Sequence, residues 1–165
     1  MISVRSDRNR LLLALGLLAT LHFALRPRLG PPEASPDFLL LGLLVFSIRS
    51  RPGSAAVVGF IIGLLGDSLT PARFGAGALA HTVVGYLTAW GRAVFFADNL
   101  MVNGAVFFAG TWLRNLIVLF ASGGTGDDIV RQLLIWSPLQ ALTTAATGAI
   151  FLMIFRRWLD IRLEE

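Results

Sequence analysis

Apolar residues are gathered in six runs along the chain, separated by short polar connections. A helix needs about 20 predominantly apolar residues to cross a membrane, and the second and third runs fall short of that length. These two runs can borrow flanking residues or thin the bilayer locally. The pattern predicts an all-α integral membrane protein with a single domain, residues 1–165, and six transmembrane helices at about 10–26, 36–50, 53–68, 76–96, 100–121 and 129–155.

The second and third runs could instead form a re-entrant hairpin. That arrangement would place Arg49 and Arg51 near the bilayer centre, at about 2.5–3.5 kcal/mol each. Two full spans, with both arginines at an interface, are therefore favoured.

The arginines also predict the orientation of the bundle. With a cytoplasmic N-terminus, nine arginines lie inside and four outside, and Arg114 lies within a span. The excess of inside arginines predicts that both termini are cytoplasmic. The inside set is Arg5, Arg8, Arg10, Arg49, Arg51, Arg92, Arg156, Arg157 and Arg162, and the outside set is Arg26, Arg28, Arg73 and Arg131.

The composition agrees with a membrane location. The chain is 55% hydrophobic and 15% charged, with a mean hydropathy of +0.72, which is more apolar than one small soluble core requires. Its basic residues are not clustered on a solvated face with interleaved aromatics, so nucleic acid is not a predicted partner. The chain has no cysteine, which excludes disulfides, thiolate metal sites and cysteine nucleophiles.

Glycines mark the third and fourth runs as closely packed helices. Gly59, Gly63 and Gly66 fall at i, i+4 and i+7 and share one helix face, which lets a neighbouring backbone approach. A second face, formed by Gly77, His81 and Gly85, is its expected neighbour.

Ionisable and polar residues of several spans are expected in one layer, in the outer half of the membrane. The carboxylate of Asp67 ends the third run, where the helix dipole disfavours it unless a cation or donor receives it. Arg114 is the expected partner, Arg73 is the rival, and the layer is either a structural ion-pair network or a substrate or proton site. Its predicted members are Asp67, His81, Arg114, Asn115 and Gln140.

No catalytic set is recognisable. Gly123-Gly124-Thr125-Gly126 lacks the Lys-Ser/Thr of a phosphate-binding loop. The histidines have no metal-ligand spacing with other donors. The sequence therefore predicts a protein that is not an enzyme, with no cofactor and no metal site.

Short motifs follow one another in a fixed order between residues 36 and 90. They are Pro36-x-Phe38, Arg51-Pro52-Gly53, Gly59-Phe60-x-x-Gly63-Leu64-x-Gly66-Asp67, Phe74-Gly75, Gly77-Ala78-Leu79 and Gly85-Tyr86. This set of motifs resembles that of the rod shape-determining protein MreD family, and the length and number of spans also agree.

The resemblance implies a non-enzymatic scaffold in the bacterial cytoplasmic membrane. It would bind membrane lipid and the single-span protein MreC, and would support cell shape and sidewall peptidoglycan synthesis together with RodA, a penicillin-binding transpeptidase and MreB. The residues expected to serve helix packing or partner binding are Gly59, Phe60, Gly63, Gly66, Gly77, Gly85 and Tyr86. The family is also similar in architecture to the substrate-binding subunits of energy-coupling-factor transporters, so a vitamin-type transporter subunit is the alternative function.

Overall fold

The computed structural model describes residues 2–68, 74–91, 99–123 and 127–155, and these ranges contain helices and turns without a β-strand. The helices are α1 (Ile2–Ala24), a 3-10 turn (Arg26–Arg28), α2 (Phe38–Ser47), α3 (Pro52–Asp67), α4 (Ala76–Gly91), α5 (Leu100–Ala121), α6 (Asp127–Arg131), a π-helical segment (Gln132–Trp136) and α7 (Ser137–Phe155).

A short central helix, α2, organises the bundle. Asp37 begins it as the N-cap, with its carboxylate accepting a 3.0 Å hydrogen bond from the Leu40 amide. Nine of the ten α2 residues are buried, and α2 contacts α1, α3, α4, α5 and α7. Ten residues are only about 15 Å long, half of a typical hydrocarbon core of about 30 Å. The predicted span at 36–50 therefore contains a helix whose surroundings are protein.

The pair α3 and α4 is antiparallel and very closely packed. Pro52 occupies the first turn of α3, where its missing N–H is harmless. A Cβ atom at Gly63 would lie 2.5 Å from Ala78 Cα, and one at Gly85 would lie 2.7 Å from the carbonyl oxygen of Ala55. The two backbones approach this closely because glycine has no side chain at these points.

α6, the π-helical segment and α7 follow one another without a break, and the helical pitch widens once along them. The Ser137 amide donates to the Gln132 carbonyl, five residues earlier, at the end of the π-helical segment. Pro138 follows at once and lacks the N–H that an α-helix would use at that position. Wide turns of this kind accommodate local disruption of the helical hydrogen-bond ladder, and this one lies directly before Pro138.

Among the described residues, three helical segments are long and apolar enough to cross a membrane: Asn9–Arg28, Leu100–Ala121 and Ile129–Phe155. The helices Phe38–Ser47 and Pro52–Asp67 are apolar but shorter. α4 ends at Gly91, and the remainder of the predicted span at 76–96 lies outside the described residues. Length and composition thus support three of the six predicted crossings, and the full count stays a prediction.

Candidate functional site

A polar cavity lies where several helix ends meet. Its volume is about 280 Å³, and it is bordered by the last turns of α1 and α3, the first turns of α2 and α4, and the C-terminal half of α5. Both signs of charge line it. The ionisable residues around it are His22, Arg26, Asp37, Asp67, His81 and Arg114.

Asp67 is held by the backbone of α4. Its carboxylate accepts hydrogen bonds from the amides of Gly75 at 2.9 Å, Gly77 at 3.1 Å and Ala78 at 2.9 Å. Gly75 has a positive φ of 95°, which glycine adopts at no steric cost and which precedes the first turn of α4. The free amides of a helix N-terminus and its dipole both favour a carboxylate there.

The expected ion pair between Asp67 and Arg114 is wrong. Arg114 donates from Nη1 to the Asn115 side-chain oxygen at 3.0 Å, and its Nη2 lies 3.9 Å from Asp37 Oδ2. The reason is local: α4 begins beside the end of α3, so its amides satisfy Asp67. The rival partner, Arg73, lies outside the described residues.

Sequence reasoning missed Asp37 as a member of the layer. Its side chain is 2% exposed. It lies between Arg114 of α5 and His22 of α1 and so connects the charged residues of these two helices. The available signal was its position: an aspartate between Pro36 and an apolar run is a typical helix N-cap, which fixes its carboxylate at the helix start.

His22, at the end of α1, and Arg26, just after it, extend the site on the other side of Asp37. His22 Nδ1 lies 3.4 Å from Asp37 Oδ1, and His22 Nε2 lies 3.2 Å from Arg26 Nη1. Arg26 also donates from Nη2 to the Pro32 carbonyl at 3.1 Å. The contacts therefore run from Arg26 through His22 and Asp37 to Arg114.

His81 borders the cavity from α4 and is 3% exposed. Its Nδ1 lies 2.7 Å from the Gly77 carbonyl oxygen, and since a carbonyl only accepts, Nδ1 carries the proton of this hydrogen bond. The other ring nitrogen, Nε2, is buried and has no hydrogen-bond partner among the residues that the structure describes. In the neutral ring this nitrogen is an unused acceptor.

Asn115 and Gln140 connect the layer to the segment before α2. The Asn115 side-chain nitrogen, Nδ2, donates to Gln140 Oε1 at 2.8 Å. Gln140 Nε2 donates to the backbone carbonyls of Pro32 and Ser35, each at 3.1 Å. Two α7 threonines continue this attachment: Thr143 donates to the Ala34 carbonyl and the Asp37 amide donates to Thr144. Three α7 side chains therefore bond the backbone of the segment that leads into α2.

The predicted glycine positions divide into two groups. A Cβ atom at Gly59 would overlap the His81 carbonyl, and one at Gly77 would overlap the Asp67 carboxylate. Gly63 and Gly85 face backbone in the same way. Gly66 differs, because a Cβ atom there would meet nothing within 4 Å and the residue borders the polar cavity.

Phe60 and Tyr86 lie on the outside of the α3–α4 pair, at 49% and 46% exposure. Each follows by one residue a glycine that faces the other helix, and one residue turns a helix by about 100°. In antiparallel helices these turns carry both side chains to the same side of the pair. Val58 and Val84, which precede those glycines, turn to the opposite side and pack in the core cluster.

Within the described residues, no group of three or more His, Asp or Glu side chains is placed to hold a metal ion. The layer holds two arginines, two aspartates and two histidines, but the carboxylates are occupied by backbone amides or by neighbouring cations. Such an arrangement suits binding and the fixing of helix positions.

Comparison with known proteins extends the resemblance over almost the whole chain. Residues 9–159 match the family model described as rod shape-determining protein MreD. Searches of curated proteins and of solved structures found no match. The family match does not support the alternative of a transporter subunit. The chain therefore belongs to the rod shape-determining protein MreD family, whose members are structural membrane proteins of cell-shape determination and form no known enzyme family.

Proposed function

We propose that this protein is a non-enzymatic scaffold of the bacterial elongation complex, embedded in the cytoplasmic membrane by several passes with both termini in the cytoplasm. It binds the transmembrane helix of an MreC-like single-span protein. Through that partner it supports sidewall peptidoglycan synthesis with RodA, a penicillin-binding transpeptidase and MreB.

The observation that carries this proposal is the outer surface of the α3–α4 pair. Phe60, Tyr86 and Trp90 are all exposed there, the last at 57%; we call these three residues the aromatic face. Aromatic side chains are enriched in protein interfaces and supply much of their binding energy. The glycine contacts behind the aromatic face hold its two helices in a fixed relation.

The glycines themselves are poor candidates for direct partner contact. Gly59, Gly63, Gly77 and Gly85 are buried by contacts within this chain. A bulky residue at Gly59 or Gly63 would therefore separate α3 from α4 and would not test partner binding alone. The aromatic face offers substitutions that leave the contact between the helices unchanged.

The test is co-purification with a tagged MreC-like partner. The double variant Phe60→Ala, Tyr86→Ala is expected to lower recovery of the partner about tenfold, which corresponds to about 1.4 kcal/mol of binding free energy. Phe120→Ala is the matched control, because Phe120 is an exposed aromatic residue of α5 and does not belong to the aromatic face of the α3–α4 pair. If the double variant recovers as much partner as the wild type, or if the control loses as much, the aromatic face does not bind the partner.

A further inference from the structure

Two arginines of the polar cavity have hydrogen-bonding capacity that the protein does not use. Arg26 donates to His22 and Pro32, and Arg114 donates to Asn115 and approaches Asp37. In both residues the Nε–H is buried and has no hydrogen-bond partner in the described part of the chain. A guanidinium presents its five N–H donors in a planar fork that suits an oxyanion.

The carboxylates of the cavity do not fill these positions. Asp67 is occupied by the three α4 amides. Asp37 accepts from the Leu40 amide and lies nearest to His22 and Arg114 Nη2. The two Nε–H groups are therefore left for an acceptor that is not a side chain of the described residues.

His81 adds a requirement of the opposite kind. Its Nδ1 is used by the Gly77 carbonyl, and its buried Nε2 is an unused acceptor in the neutral ring. A group that satisfies the cavity must thus offer acceptor oxygens to the arginines and one O–H to His81. A singly protonated phosphate, or a phosphate bearing a hydroxylated substituent, has both.

The size and position of the cavity fit such a group. Its volume of about 280 Å³ exceeds the roughly 30 Å³ that one water occupies in the liquid by a wide margin. It lies at helix ends, where α1 and α3 finish and α2 and α4 begin. In a membrane-spanning bundle this is the level of the lipid headgroups.

We propose that the cavity between Arg26, Arg114 and His81 binds a phosphate-type oxyanion, either inorganic phosphate or the headgroup of an anionic phospholipid. The two arginines donate N–H hydrogen bonds to its oxygens, and its hydroxyl donates a hydrogen bond to His81 Nε2. Asp37 lies beside Arg114 and, through His22, is linked to Arg26; neither aspartate contacts the ligand's oxygens.

The first arm of the test uses the full chain purified in detergent. Inorganic phosphate, titrated against chloride at matched ionic strength and pH, is expected to raise the thermal unfolding temperature in a saturable way. Arg26→Gln and Arg114→Gln should abolish that shift. Arg28→Gln, which removes the same charge from an exposed neighbouring position, should keep it.

The second arm identifies a lipid source. The protein in bilayers containing phosphatidylglycerol and diacylglycerol is examined by native mass spectrometry, and retention of phosphatidylglycerol over diacylglycerol is expected in wild type and Arg28→Gln only. A phosphate shift in detergent assigns the site to free phosphate, and lipid retention without that shift assigns it to the headgroup.

The wild-type protein alone can overturn the proposal, whatever the folding of the variants. No phosphate-specific shift together with no preference for phosphatidylglycerol means that the cavity holds water only. A shift or retention that survives in both cavity variants as it does in Arg28→Gln also excludes the site. Arg26→Lys provides a further check, since it keeps the charge and should retain part of the effect.

Discussion

Arg114 Nη2 lies 3.9 Å from Asp37 Oδ2, so a charge two turns inside α5 is paired with the residue that begins α2. This pair couples the central helix α2 to α5 at the level of the polar cavity. The carboxylate also caps α2, and one side chain thus serves both a helix start and a helix contact.

The pairing predicts which double-mutant cycle shows coupling. Asp37→Asn and Arg114→Gln should each destabilise the protein by about 1–3 kcal/mol, because each leaves a polar partner unsatisfied in a buried site. The double variant should lose less than the sum, with a coupling energy of at least about 0.5 kcal/mol. Unfolding in mixed detergent micelles measures these energies. The matched cycle of Asp67→Asn with Arg114→Gln should be additive, and the reverse pattern would contradict the pairing.

The N-terminus of α4 should depend on Asp67. Asp67→Ala removes the acceptor of three backbone amides, and a loss of about 1–3 kcal/mol in the free energy of unfolding is expected. Ser68→Ala serves as the control, because Ser68 is exposed and bonds only within its own turn. Faster hydrogen exchange at Gly77 and Ala78 should accompany the loss. Equal stability of the two variants would show that the amides find other acceptors.

Two alanine substitutions on the α3 glycine face should change the free energy of unfolding in opposite directions. Gly59→Ala forces a Cβ atom into the His81 carbonyl, and overpacking of this kind costs about 1–3 kcal/mol. Gly66→Ala enters open space and should stabilise the helix by up to about 1 kcal/mol through its propensity. The pair is measured by the same unfolding assay. A destabilising Gly66→Ala would indicate that the face is packed along its whole length.

The segment before α2 should loosen when its attachment to α7 is removed. Gln140→Leu deletes the bonds to the carbonyls of Pro32 and Ser35, and hydrogen exchange of the amides in residues 33–35 should accelerate about tenfold. Gln132→Leu makes the same chemical change in the π-helical segment and should leave those amides unaffected. An unchanged exchange rate in Gln140→Leu would mean that Thr143 and Thr144 suffice.

Apolar patterning predicted helix positions well where the helix is long. The run at 100–121 corresponds to α5, Leu100–Ala121, and the family assignment made from residues 36 to 90 is confirmed over residues 9–159. The second run predicted a span at 36–50, which is longer than α2, Phe38–Ser47. Hydropathy does not distinguish residues that face lipid from those that face protein, and α2 is apolar because it packs against protein.

The pairing of charges could not be predicted from depth alone. Asp67 and Arg114 both line the polar cavity, but depth does not specify which hydrogen-bond donors a turn of the chain brings to a carboxylate. The answer depends on Gly75, whose backbone conformation returns the chain so that the α4 amides point at Asp67. Asp37 was overlooked because it stands at the edge of a connection, where a carboxylate usually faces water.

The three amide bonds to Asp67 also have a consequence for the connection between α3 and α4. They join the two ends of this connection, so the contact between α3 and α4 does not rest on the length of the chain between them. The entropy of closing such a connection grows only slowly with its length. Insertions within residues 69–73 are therefore expected to leave the helix pair in place, whereas Gly75, whose φ is 95° and whose amide binds Asp67, has to be kept.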